Sequence, residues 1–499
     1  MESDGHSNGS VTAGAPRSGP NVVIVGGGIT GLTTAYRVLQ AAREHGGPGM
    51  HVTLLERRSA LGGNIRTESR DGFVIDGGPD AWVAAKPYAT ELAREIGLGD
   101  QLIGTTPANR RLYVRHRGEL HTLPEGVLLT VPTQVGPFVR SGLISWSGKA
   151  RMALDLVLPR ARGSADESLA DFVRRRLGRE ALERLAEPLM GGIYAGDVEA
   201  LSIRSTFPQL VEMEEKHGSL IRGAVALLAS RGQTKGATPP SAFFGLRGGM
   251  GDLIAALRDR VVAAGAEVRL GARCVAIARP KGGVLAPPSP RYLVHVEESS
   301  GSSVIPADAV LLAAPAYESA TALDGLDPEL AGLLREIPYL STGTVVLAYR
   351  RADVPHRLDA VGVILPKAEG RRILATTFIS SKWEGRAPEG FALLRVFVGG
   401  DRDPRALEQS DDALVELARA ELAAVIDVRV APLFSRVFRF ERGNPQPIVG
   451  HQARLRRLRL RVAQHPGLHI AGAAFEGVGI PDCVRQANDV AARITASRI

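Results

Sequence analysis

At 499 residues, with 44% apolar side chains, the chain can bury more than one sizeable core, which excludes a disordered or fibrous protein. Two cysteines, Cys274 and Cys483, exclude a disulfide framework and a thiolate metal centre, and fit a reducing compartment. The net charge of +8 is spread along the chain without a nucleic-acid-binding motif, so it points to an anionic substrate or membrane surface and away from nucleic acid.

Residues 1–20 are rich in Gly, Ser, Asn and Pro and read as a flexible tail, not a signal peptide. Residues Val22–Val25 form an apolar strand, and Gly26-Gly27-Gly28-Ile29-Thr30-Gly31 follows as a turn into a helix. A second run, Val52–Leu55, ends in Glu56. Strand, glycine turn, helix and acid stand in the order a dinucleotide site needs. Gly26 makes the turn, Gly28 admits a pyrophosphate and Gly31 lets the helix pack on the strand. The helix N-terminus offers N–H groups to the phosphates, and Glu56 accepts from ribose hydroxyls. Paired glycines at Gly62-Gly63 and Gly77-Gly78 predict further close approach to the same ligand.

From 84 to 232 the pattern reads as mainly helical, with helices over Ala85–Ile96, Gly148–Leu158, Ser168–Leu177 and Arg179–Leu189. Residues 231–240 are polar and contain Pro and Gly, which predicts a loop or domain boundary. A helix through Ala264 follows Gly248–Gly251, then strands Ala266–Leu270 and Cys274–Ala278, alternation over 291–315, and the apolar run Ala309–Ala314. Strands Thr344–Tyr349, Gly362–Leu365, Ile373–Ile379 and Leu393–Val398, with a helix Asp411–Val425, predict a second, α+β domain. A strand at Leu468–Ile470 and a helix from Pro481 return the chain to the nucleotide domain. The division expected is a tail 1–20, a nucleotide domain in three pieces (21–84, 233–315 and 441–499), a helical region 85–232 and a substrate domain 316–440. No run approaches the ~18 apolar residues of a transmembrane helix. No Ser/His/Asp, His-Glu-x-x-His or paired-cysteine pattern is present, so neither a catalytic dyad nor a metal is expected.

Three stretches carry a resemblance: Pro188–Asp197 (PLMGGIYAGD), Ser205–Pro208 (STFP) and Ala471–Cys483 (AGAAFEGVGIPDC). With the opening glycines, the chain resembles the glycine-rich FAD oxidoreductase superfamily, which includes monoamine oxidases and carotenoid desaturases. Within it the chain is most similar to the HemY-type protoporphyrinogen/coproporphyrinogen III oxidases.

The resemblance implies an α/β fold. It would comprise a discontinuous Rossmann-like FAD domain, an α+β substrate domain and a helical membrane-docking region. It implies six-electron oxidation of a porphyrinogen to the porphyrin in heme biosynthesis, with dioxygen as acceptor and hydrogen peroxide released. FAD contacts would be Gly26, Gly27, Gly28, Ile29, Thr30, Gly31, Glu56, Arg57, Gly63, Gly78, Pro79, Asp80, Ala81, Val275 and Val478. The helix from Pro481 would turn its positive end to the flavin. Substrate walls would be Gly192, Ile364, Thr377 and Phe397. The family's propionate-binding arginine falls at Leu112, so the neighbouring Arg111, or Arg110, takes that role in this reading. Apolar runs Val127–Val131 and Phe138–Ile144 beside basic residues are the expected membrane contact. That places the protein in the cytoplasm, peripheral on the inner face of the cell membrane, as a monomer or homodimer.

The stretches around Lys382-Trp383 and Arg386-Ala387-Pro388 look closer to the Gram-positive-type enzymes, which favour coproporphyrinogen III. Flavin amine oxidases usually carry Ala-Gly-Glu where this chain has Ala471-Gly472-Ala473, and carotenoid desaturases are further away. A carrier on the same fold, like the Rab escort proteins, predicts an eroded glycine motif; here the motif is intact.

Overall fold

A computed structural model describes residues 19–496, except 45–48, 125–126, 129, 133, 162, 164, 231–240 and 281–289. The tail read over 1–20, apart from Gly19 and Pro20, and the loop read over 231–240 lie outside the described residues.

Five parallel strands build the first sheet, in the order Glu267–Leu270, His51–Glu56, Asn21–Val25, Ala309–Leu312, Leu468–Ile470. Its central strands are apolar at successive positions because both faces are covered. Val22 and Ile24 pack against the helices Ile29–Glu44, Gly251–Ala263 and Ile480–Ala496. Val23 and Val25 pack against an antiparallel meander (Arg273–Ala278, Tyr292–Glu298, Gly301–Ala307) and helices Ala316–Leu323 and Pro328–Arg335. Those two helices, unread in the sequence, share this core. The second starts at Asp327, whose carboxylate accepts the Leu330 N–H at 3.0 Å, with Pro328 next in line.

Seven strands build the second sheet, ordered Phe434–Pro445, Tyr339–Arg350, Phe391–Gly399, Ala375–Phe378, Gly362–Ile364, Tyr113–His116, Glu119–Thr122. One face lies on the helix Asp411–Ile426 through Val345, Leu347, Val396 and Leu422. The last two strands correct the helical reading of 84–232. They form a hairpin of four-residue strands, and that hairpin and Leu102–Gly104 join their sheets through partners far along the chain, so local periodicity does not reveal them.

The described residues of 135–230 are mainly helical and pack on the sheet's other face around Leu169, Phe172, Leu185, Met190 and Phe207. Ser145 and Ser168 cap two of its helices through the N–H groups of Gly148 and Asp171. The helix read over Arg179–Leu189 runs on to Tyr194, with a π-helical turn at Leu182–Ala186. Among the described residues, no helix is long and apolar enough to cross a membrane.

The edge strand carries a pH-sensitive group. Burial, aided by the charge of Arg493, pushes His469 down to about 4. Its pKa is depressed, so its contribution is complete above the unfolded value of 6.5 and is lost as pH falls towards 4. Urea midpoints should therefore drop between pH 7 and pH 4, and His469→Asn should flatten that slope. A mutant slope equal to wild type would assign the effect to other groups.

Candidate functional site

The first part of the site is the end of the parallel sheet, where Gly26, Gly28, Glu56, Arg57, Gly63 and Cys274 line a pocket. The glycines there are not equivalent. A Cβ on Gly31 would run into the Gly26 carbonyl oxygen, so the fold itself requires that glycine, whereas one on Gly27 would press on the Leu61 side-chain end, which can move. A Cβ on Gly28 would meet nothing within 4 Å. Packing does not require a glycine at 28; its bare backbone fits a ligand that approaches closely, as a pyrophosphate does. Ile29, Thr30 and Gly31 open the helix beside it, and their N–H groups face its N-terminal end.

Glu56 is 7% exposed and held by two N–H groups, from Gly27 and Arg58, both at 2.9 Å. Each carboxylate oxygen keeps a lone pair for a ribose hydroxyl. Arg57 is half-exposed and paired with Glu318 at 3.2 Å. The meander bulges at Val275, between Cys274 and Ala276, which bends the strand beside the pocket wall. These residues suit a dinucleotide cofactor with a free ribose.

The loop Asp76–Ala81 joins this pocket to the seven-stranded sheet. Thr344 Oγ1 donates to the Gly77 carbonyl at 2.7 Å. Arg395 donates to the carbonyls of Asp76 (3.0 Å) and Gly78 (2.9 Å). Asp80 is buried and its carboxylate is engaged by Lys382 (2.9 Å), Arg395 (3.1 Å) and the Trp383 indole N–H (3.0 Å). Burial would raise its pKa, but Arg395 and Lys382 hold it far below the ordinary carboxylate range. Only the main chain of Asp80 is therefore left for a cofactor; Pro79 and Ala81 flank it in the same loop.

Strand register brings together three of the expected wall residues. Ile364 lies opposite Ala375, which lies opposite Phe397, and Thr377 is two residues from Ala375 on the same side. All project from the face that meets the helical region and the Asp76–Ala81 loop. Val478 packs in the same cluster as Ile364 and Phe397. Gly192, at the end of the helix Glu187–Tyr194, is exposed, and a Cβ there would point into open space. Its neighbour Gly191 approaches Leu374, whose N–H bonds the Phe397 carbonyl.

Arg111 is the exception. Leu112 packs in the cluster of Ile364 and Phe397, whereas Tyr113 packs on the opposite face. Arg111 goes with Tyr113: both meet Asp359, at 3.8 and 2.9 Å, and Arg111 is exposed. Side-chain alternation turns it away from the wall residues, so the structure does not bring it together with them. Arg115 also leaves that face, donating to the Ala424 carbonyl and pairing with Glu369.

Sequence reasoning missed Arg395 and Thr344. Their signal was a polar residue inside an apolar strand, FALLRVFVG in the case of Arg395, because an arginine there is buried only with dedicated partners. No metal-holding group of His, Cys, Asp or Glu occurs among the described residues.

Comparison with known proteins places these features in context. The pattern of the flavin containing amine oxidoreductase family matches residues 29–495. Coproporphyrinogen III oxidase of Bacillus subtilis is 34% identical over 468 residues, 93% of this chain and 96% of the relative. The chloroplastic protoporphyrinogen oxidase of Nicotiana tabacum is 30% identical over 511 residues, covering 97% and 87%. Among solved structures, a protein of Exiguobacterium sp. 255-15 designated a protoporphyrinogen oxidase superposes with a TM-score of 0.81 at 32% identity, covering 98% of this chain and all of the other. Putrescine oxidase, at 17% identity and a TM-score of 0.66, shares the fold.

Proposed function

The chain belongs to the flavin containing amine oxidoreductase family, and from that premise we propose that it is an FAD-dependent porphyrinogen oxidase of heme biosynthesis, acting on coproporphyrinogen III. The observation that carries this reading is the shared face of Ile364, Ala375, Thr377 and Phe397. It gives a flexible macrocycle a broad, mostly apolar wall beside the cofactor loop. FAD, when bound beside this wall, would supply two-electron redox chemistry with dioxygen as the final acceptor.

The chain's own residues bind and orient. Gly28 and the helix start at Ile29 hold the pyrophosphate, Glu56 the ribose, and the Gly78–Ala81 main chain borders the flavin. Val275 and Val478 would add backbone or packing contacts near the adenine and the flavin. Gly192, Ile364, Thr377 and Phe397 enclose the macrocycle. No acid–base side chain is assigned, and rate enhancement comes from positioning.

Purified protein supplied with coproporphyrinogen III should yield fluorescent porphyrin and hydrogen peroxide, with a larger kcat/KM than on protoporphyrinogen IX. Peroxide formed from amines and not from either porphyrinogen would reject the reading. Arg111→Ala, in contrast to what the sequence alone suggests, should leave kcat/KM within about twofold, since an exposed ion pair contributes little. A tenfold loss would return Arg111 to the site.

We also propose peripheral membrane contact through the helical region, on residues other than the apolar runs first read. Val131, Phe138, Leu143 and Ile144 are all buried. Within those runs Val139 is 37% exposed, and just beyond them Trp146 (71%), Leu154 (48%), Leu156 (39%) and Val157 (75%) form a more exposed apolar group. They sit beside Lys149 and Arg151, a composition suited to an anionic interface. Wild type should float with anionic liposomes at low salt, and Trp146→Glu/Val157→Glu should stay at the bottom with unchanged melting. Equal flotation of both would reject this surface.

A further inference from the structure

The hydrogen bonds of Arg395 join two parts of the site that the sequence leaves separate. Its guanidinium donates to the carbonyls of Asp76 and Gly78 and pairs with Asp80, on the cofactor side. The same guanidinium lies over the Phe397 ring, 4.8 Å from its centroid, on the substrate side. The side chain is 3% exposed, so neither contact is exchanged for water. Thr344, directly opposite Phe397 on the neighbouring strand, holds the carbonyl between them, that of Gly77.

Three successive carbonyls are thus turned towards the sheet. In a trans peptide, the C=O of one residue and the N–H of the next point in opposite directions. Fixing the Gly77 carbonyl on Thr344 therefore aims the Gly78 N–H away from the sheet, and no acceptor among the described residues meets it. The loop is held so that it presents a donor.

We propose that Arg395 is a positioning residue that couples the cofactor loop to the substrate wall. It fixes the Gly77–Gly78 main chain for the flavin and the Phe397 ring for the macrocycle in one rigid unit. This rests on the porphyrinogen reading above. The arrangement needs a fork: two carbonyls, a carboxylate and a ring face are served at once by a planar guanidinium and not by an ammonium.

The test uses the FAD-loaded enzyme with Arg395→Lys, Arg395→Met, Thr344→Val and Phe397→Leu, alone and combined. Readouts are the visible flavin band, FAD affinity by titration, and KM and kcat on coproporphyrinogen III. Arg395→Met should move the flavin band and raise KM about fivefold to tenfold, with kcat changed less. Arg395→Lys should recover the band only in part. Thr344→Val should move the band with a smaller effect on KM. Phe397→Leu should raise KM in wild type but add little to Arg395→Met, the sign of coupling. An unmoved band and KM in Arg395→Met, or an equal cost of Phe397→Leu in both backgrounds, would overturn the proposal. Should Arg395→Met fail to fold, Arg395→Lys and Thr344→Val decide it by the band and KM. A wild type that turns over neither porphyrinogen fails the functional reading, and the flavin band and FAD titration then decide this inference alone.

Discussion

A Gly28→Asp protein should purify folded and colourless. The added side chain meets no protein atom at its first carbon, so far-UV circular dichroism and the melting curve of the cofactor-free protein should match wild type. The carboxylate would stand where the pyrophosphate does. Two like charges about 4 Å apart at an effective dielectric near 20 repel by about 4 kcal/mol, roughly a thousandfold in affinity. Gly31→Ala is the contrasting control: its Cβ is driven into the Gly26 carbonyl, so it should lose the fold along with the flavin. The flavin-to-protein absorbance ratio and a melt on each variant check this. A Gly28→Asp protein retaining stoichiometric FAD would remove the glycine turn from the cofactor site.

Asp80→Ala should be among the most destabilising single changes in the chain. It leaves Lys382 and Arg395, 15% and 3% exposed, without their shared carboxylate. Breaking a buried ion pair from one side costs about 3–5 kcal/mol, because the remaining charge stays in a poor medium. Urea midpoints measure it, with Glu95→Ala as reference: the Arg37–Glu95 pair is partly exposed, and its loss should cost below about 1 kcal/mol. Comparable losses in the two would mean the cluster around Asp80 is solvated. The pH dependence has a definite sign. Because Asp80 is held below the ordinary range, its contribution is complete above pH of about 4 and is lost only in stronger acid.

The features legible in sequence were those written within about thirty residues. The turn at Gly26–Gly31 and the acid closing the next strand follow from local geometry, and Ser168 ahead of an apolar period announces its helix. The alternation in Leu393–Val398 likewise marks a strand, and the structure extends it to Phe391–Gly399. Residues whose meaning depends on a distant partner were not legible. Tyr113–His116 and its hairpin partner Glu119–Thr122 are four residues each, too short to read as strands until Gly362–Ile364 is known to carry them into the sheet. Arg111 and Leu112 differ by one position, and only the register of that strand says which faces the wall residues. Phe138 and Trp146 are equally apolar in sequence; packing buries the first to 7% and leaves the second 71% exposed. Composition ranks both as interior, and tertiary contacts separate them.

The parallel pairing of Gly362–Ile364 with Tyr113–His116 also sets a timetable for synthesis. Val363 lies beside Tyr113, a residue made 250 positions earlier, and the first sheet receives its last strand only at Leu468–Ile470. A chain emerging from the ribosome must therefore carry the Tyr113–His116 strand with one edge on its hairpin partner Glu119–Thr122 and the other edge open until most of the polypeptide exists. The entropy of closing so long a loop rises only with the logarithm of its length, but the search is slow and the waiting strands are open to other chains. Translation stopped before residue 468 would leave Ala309–Leu312 as a bare, wholly apolar edge. Such a product is a template for aggregation, so yield in a cell depends on how quickly the final thirty residues arrive.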